Sequence, residues 1–188
     1  YDVGVRGKPH TFGSISDQVS DPTNTQAVKA WVDSQYDPAV TWADIAWLRG
    51  IWQGKLVIKG ILEAEDARAA LDAGADGVVI SNHGGRQLDS VASTISKLPA
   101  VIEAVGGRIE VFVDGGVRGG MDVFKAVALG ATGVLIGRPW AWAIAGRGEA
   151  GLVDLLATFK RELAVAMALT GARSISEIHR GLIEWDRG

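Results

Sequence analysis

IEVFVDGGVRGG, residues 109–120, runs an apolar stretch straight into glycine, and where that junction falls along the chain decides the fold. Ile109, Val111, Phe112 and Val113 are the β-branched and aromatic types that strands favour. Working outward, LVIKG (56–60) and GVVIS (77–81) read as short buried strands upstream, and GVLIG (133–137) as another downstream. Helical stretches lie around and between them. Thr41 caps one in which Trp42, Ile45, Ala46, Leu48 and Arg49 bring apolar groups to one side, with Gly54 ending its connection. Alanine-rich residues 63–73 stop at Gly74, a further helix covers roughly 93–105, and 121–129 stops at Gly130. A closing helix follows the fourth strand, and Gly151 to Leu169 forms a longer one. Apolar strands alternating with helices predict an α/β fold with a parallel sheet and right-handed crossovers.

Two architectures share that alternation. A doubly wound sheet places its glycine-rich phosphate turn after the first strand. Here the glycine-rich segments, DGGVRGG (114–120) and GRP (137–139), follow the last two strands. That placement matches a (β/α)8 TIM barrel, whose phosphate site is built from the loops after strands seven and eight. The four strands are therefore expected to be the fifth to the eighth, with the first half of the barrel missing. Residues 1–40 read as a mobile loop before the fifth strand, because 1–26 hold turn formers without a sustained period, and residues 41–188 as the C-terminal half-barrel. The chain begins at Tyr1 rather than methionine, which adds to the expectation of a piece of a longer protein with an N-terminal partner segment of about 150–200 residues.

Composition excludes several classes. At 188 residues and 47% hydrophobic the chain has the material for a core. A net charge of −3 with interspersed signs gives no basic footprint for nucleic acid. No cysteine is present, which removes disulfides and thiolate metal sites and fits a reducing, cytoplasmic setting. No metal site is expected.

The strand ends hold the chemistry. Lys59 ends the first strand, Ser81 to Arg86 follow the second, Asp114 to Arg118 the third, and Gly137 and Arg138 the fourth. All lie on the C-terminal rim, where such barrels work. Each residue has a plainer use. Lys59 alone reads best as snorkelling to water, His83 as a solvated loop group, and the glycines as turn formers; Arg118 or Arg138 would simply pair with Asp114 or Glu149. Four strands out of four ending in charged or hydrogen-bonding groups, three with glycine beside them, favour a convergent site.

The strings LVIKGI, SNHGGRQLD (81–89), DGGVRGGMDVFKAVALGA and IGRP resemble the C-terminal half of the FMN-dependent L-2-hydroxy-acid-oxidising family. That family includes glycolate oxidase, lactate oxidase, lactate monooxygenase, mandelate dehydrogenase and flavocytochrome b2. The resemblance runs from about Trp42 to Gly171, with SNHGGRQLD its most specific element. It implies FMN as cofactor and His83 as the base that takes a proton during oxidation at the substrate α-carbon, a task suited to an imidazole whose ordinary pKa is about 6.5. It implies that Arg86 grips the carboxylate with its planar fork, while Gly84 and Gly85 leave room above the loop. Lys59 and Ser81 would meet the flavin ring, Asp114 the ribityl hydroxyls, and Gly115, Gly116, Gly137 and Arg138 the phosphate. Arg118 would lie near the phosphate or in the positive field of the active site. His83 also touches the cofactor in this scheme.

The same family takes its substrate-contacting tyrosines, the aspartate that orients the histidine and the early flavin contacts from the first half of the barrel. Here only Tyr1 and Tyr36 occur, both in the loosely matching opening. Three functions therefore stand: an FMN oxidoreductase of 2-hydroxy acids that needs its N-terminal half; another phosphate-binding barrel, flavin-dependent or acting on sugar phosphates; and a non-catalytic half-barrel that pairs through its open edges. By resemblance the complete protein is a homo-oligomer, a tetramer.

Overall fold

The computed structural model describes residues 15–185, so residues 1–14 of the expected opening loop lie outside it. The chain forms two compact units whose boundary falls after Thr41.

In the first unit, helix α1 spans Thr25–Gln35 and corrects the expectation of a loop over residues 1–40. Asn24, counted as a turn former, caps the helix instead: its side chain accepts from Gln26 N at 2.9 Å and Ala27 N at 3.3 Å. Lys29 and Asp33, four residues apart, pair on its surface.

The second unit contains α2 (Trp42–Ile51), β1 (Val57–Ile61), α3 (Ala64–Asp72), β2 (Gly77–Ile80), α4 (Thr94–Val105), β3 (Glu110–Val113), α5 (Gly120–Ala128), β4 (Gly133–Val134) and α6 (Arg138–Thr170). The last helix breaks at Arg147 and Gly148 (φ +59°), giving the two helices that the sequence predicts there. The strands are all parallel and stand in the order β1-β2-β3-β4. A sheet that steps one way without reversal has no switch point, and right-handed crossovers then put every helix on the same side. This is a partial (β/α)8 barrel.

Burial shows which side the helices cover. Val78 and Ile80 of β2 and Val111 and Val113 of β3 pack with Ala67, Ala70, Leu98, Val101 and Val105 of α3 and α4. Strand residues alternate between faces, so Lys59, Val79, Phe112 and Gly133, which lie in register, share the other face. Only β2 is buried throughout. The outer strands depart from the buried runs expected: Val57 is 41% exposed, and β4 is two residues long with Leu135 37% exposed beyond it. Each has a pairing neighbour on one side alone within the sheet.

Helix α5 meets α6 with no clearance. A Cβ on Gly120 would lie 2.3 Å from both Phe159 O and Leu163 N, and the Gly120 N–H donates to Glu162 Oε2 at 2.7 Å. Phe124, Ala128 and Ala166 form a second small core along this contact. Among the described residues no helix is long and apolar enough to cross a membrane.

Candidate active site

Three strand ends converge through one ammonium group. At the end of β1 the register slips between Lys59 and Ile61, where Gly60 takes φ +102°, a left-handed value natural to glycine. Lys59 Nζ donates to Ser81 Oγ at 2.9 Å and pairs with Asp114 Oδ2 at 2.9 Å. The lysine thus reaches across β2 to β3 rather than simply snorkelling to water. Asp114 is not paired with Arg118 or Arg138.

The surroundings of Asp114 are unusual. Its side chain is 16% exposed, and among the described residues the buried Oδ1 finds no hydrogen-bond partner. Its main-chain carbonyl accepts from the Thr94 hydroxyl. A buried carboxylate oxygen without a donor costs desolvation that nothing repays, so such an atom is commonly a site for a ligand donor. Ser81 is buried and accepts from both Lys59 Nζ and His83 N (3.1 Å), which leaves its own O–H to donate.

The turn after β2 is a short 3-10 segment, His83–Gly85. His83 sits at φ +53°, a left-handed conformation that a side-chain-bearing residue adopts at a cost of roughly 1–2 kcal/mol. Local bonds hold it there. Gly84 N donates to Asn82 Oδ1 at 3.1 Å, Gly85 N to Asn82 O at 2.9 Å, and Asn82 Nδ2 to Ala92 O at 3.4 Å. The imidazole leans on β1: a Cβ on Gly60 would stand 3.0 Å from His83 Nε2. Arg138, entering from the end of β4, donates through Nη2 to Gly84 O at 2.6 Å.

The glycine motif after β3 divides in two. Gly115 (φ +86°) fits where a Cβ would press on Thr94 Oγ1 at 2.9 Å and Asn82 Oδ1 at 3.2 Å, while Gly116 (φ +80°) opens onto space. Gly119 and Gly120 instead serve the contact with α6. Arg118 donates its main-chain N–H to Asp122 Oδ2 at 2.8 Å. Among the described residues neither the Arg86 nor the Arg118 guanidinium has a hydrogen bond or ion pair, and both side chains are exposed.

The structure therefore brings Lys59, Ser81, His83 and Asp114 into one connected cluster, with Gly115 against it and Arg138 bonded to its loop. Arg86, Arg118 and Gly137 stand on the same rim, and among the described residues none has a hydrogen bond or ion pair to that cluster. Sequence reasoning missed Gly60, Asn82 and Thr94. Asn82 carried a usable signal, an asparagine two residues before a glycine in a turn; the other two depend on contacts made across the sheet.

Residues 5–185 match the family model described as FMN-dependent dehydrogenase. The chain belongs to the FMN-dependent dehydrogenase family. Its curated relatives include the L-lactate dehydrogenases of Caulobacter vibrioides (strain NA1000 / CB15N) and Pseudomonas putida (strain W619), each 51% identical, over 97% and 96% of this chain and 48% and 47% of theirs. A crystal structure of mandelate oxidase aligns at TM-score 0.78 with 45% identity, covering 85% of this chain and 46% of the other. Mandelate oxidase with benzoyl-formic acid aligns at TM-score 0.73 with 48% identity, over 75% and 42%. The chain spans about half the length of the relatives it matches.

Proposed function

We propose that this chain carries the base, the carboxylate-binding arginine and the phosphate end of an FMN-dependent enzyme that oxidises an L-2-hydroxy acid to the 2-keto acid. The observation that carries the reading is the Lys59–Asp114–Ser81 cluster with its unpartnered Asp114 Oδ1, on the rim that also bears His83 and Arg86. These residues fit FMN. Asp114 Oδ1 suits a ribityl hydroxyl, and the Ser81 O–H suits a polar edge of the ring. Lys59 sets a positive charge where reduction would place a negative one, which favours the reduced state. Gly116, with open space above it, and Arg138 with Gly137 at the start of α6 suit a phosphate. When bound, FMN would supply the acceptor for a hydride equivalent, two electrons with one of the two protons that leave the substrate.

The chain's own groups do the rest. Arg86, unpaired among the described residues, holds the carboxylate bidentately and so fixes the α-carbon over the site. His83, held in its turn by Ser81 and Asn82, accepts the other proton that leaves the substrate. Closure requires more chain: the face carrying Val57 and Lys59 is half open, and the outer edges of β1 and β4 need partners. We propose that the first four β/α units of the barrel supply those strands and that activity needs both halves.

The test is His83→Gln in the complete protein, assayed with L-lactate and L-mandelate. FMN should stay bound while turnover falls by roughly 10²- to 10⁴-fold, the usual contribution of a positioned base. Near-parental turnover would remove His83 from the mechanism.

A further inference from the structure

The turn that presents His83 is closed on itself at three points; its base is tied to β1 where Lys59 Nζ bonds Ser81 Oγ, and its glycine side is tied to the residue that opens α6. His83 N, Gly84 N and Gly85 N find acceptors on Ser81 and Asn82, within the segment that follows β2. Gly84 O instead takes a charge-assisted bond from Arg138 Nη2 at 2.6 Å, across 54 residues of sequence. The fit is close, because a Cβ on Gly84 would lie 3.3 Å from the same nitrogen. A guanidinium has N–H donors on several edges, so one can bind a carbonyl while others face phosphate oxygens. A lysine ammonium offers no such fixed fork.

We infer that Arg138 is a positioning residue for the His83 turn in addition to a phosphate ligand, so that the anchoring of the cofactor tail and the placement of the base share one side chain. The second half of this statement rests on the function proposed above; the first rests on the contact itself. With Arg138 in place, the left-handed conformation of His83 is held from both ends of the turn. Without it, the carbonyl side of the turn is released to water.

The experiment compares the complete protein with its Arg138→Gln and Arg138→Lys variants. In the FMN-free forms, amide hydrogen exchange is read over residues 82–87. Arg138→Gln should exchange there about three- to tenfold faster, since the bond is charge-assisted but exposed, with Arg138→Lys intermediate and the rest of the sheet unchanged. Affinities for FMN and for riboflavin, which lacks the phosphate, are measured in parallel. Arg138→Gln should weaken FMN and leave riboflavin unaffected. At saturating FMN the same variant should lower kcat more than it raises KM, because His83 is displaced while Arg86 still meets the carboxylate. Faster exchange with unchanged FMN affinity supports the positioning role and overturns the phosphate reading. Weaker FMN binding with unchanged exchange overturns the positioning role. No change in either overturns both.

Discussion

Two aspartates stand at opposite ends of the same sheet, and they are finished to different degrees. Asp76 immediately precedes β2, and both its carboxylate oxygens are taken. Oδ2 accepts from Leu56 N and Arg49 Nη1, each at 2.9 Å, and Oδ1 from Lys55 Nζ at 3.1 Å. Its main chain is engaged as well, with N donating to Leu56 O at 2.8 Å and O accepting from Glu110 N at 3.1 Å. Asp114, immediately after β3, pairs one oxygen with Lys59 and leaves the other buried and unpartnered. A carboxylate with both oxygens engaged ties strands together, whereas one left half-satisfied at the working rim has capacity for a ligand.

The difference makes opposite predictions for matched substitutions. Asp114→Asn keeps the shape, removes the charge and takes one acceptor from the proposed ribityl contact. In the complete protein it should weaken FMN by roughly 10- to 100-fold, the range expected for a hydrogen bond to a charged group. The FMN-free form should unfold at an unchanged or slightly higher temperature, because an unsatisfied buried oxygen has lost its charge and Lys59, 43% exposed, can turn to water. Titration of flavin fluorescence and thermal unfolding check the two halves. A clear loss of stability with FMN affinity intact would make Asp114 a second clamp and erase the contrast.

Asp76→Asn should do the reverse. Arg49 loses the charge it pairs with, though it keeps the carbonyls of Gly54 and Trp52, and Lys55 loses its partner. The melting temperature should fall by a few degrees, on the scale of one or two hydrogen bonds in a domain of this size. FMN affinity should stay at the parental value, since the network lies at the end of the sheet remote from Lys59. Loss of flavin in this variant while it remains folded would show that the two rims are coupled.

Much of the fold was legible because strand type and order are written in short apolar runs whose glycine-rich endings come late in the chain. The limits of that legibility lie in what a strand borders. LVIKG and GVLIG look like buried strands, yet burial depends on neighbours, and Val57 and Leu135 remain exposed at the two edges of this sheet. The site was legible as a set of residue types at strand ends. Its connections were not: nothing in the spacing told that Lys59 would span to Asp114, that Gly60 makes room for His83, or that Arg138 would bond Gly84. In DGGVRGG, two glycine pairs look alike. Gly115 and Gly116 border the site, while Gly120 permits an interhelical contact in which an added Cβ would strike backbone at 2.3 Å. Such a distinction exists only once α6 has folded back on α5.

The smallest expected effect is the most specific to Asp76. The Leu56 main-chain N–H bonded to its carboxylate, then the bond from the Lys55 ammonium, the Lys55 charge and the bond from Arg49, hold its pKa below the ordinary carboxylate value. A group whose pKa is depressed on folding binds fewer protons folded than unfolded through that interval, so stability rises with pH there. The Asp76 contribution is therefore fully present above the unfolded carboxylate pKa of about 3.9 and is lost as pH falls through the lower folded value. The amide introduced by Asp76→Asn cannot titrate. Parent and Asp76→Asn should thus differ in urea midpoint by a constant amount from neutral pH down to about 5 and converge below about 4. Lys55→Met offers the intermediate case: it removes the ammonium and keeps the Leu56 N–H, so a smaller acid-sensitive part of the stability should remain. A gap between parent and Asp76→Asn that stayed constant to the lowest pH would mean that the clamp acts through shape alone, and that the contrast between the two aspartates is one of packing rather than of charge.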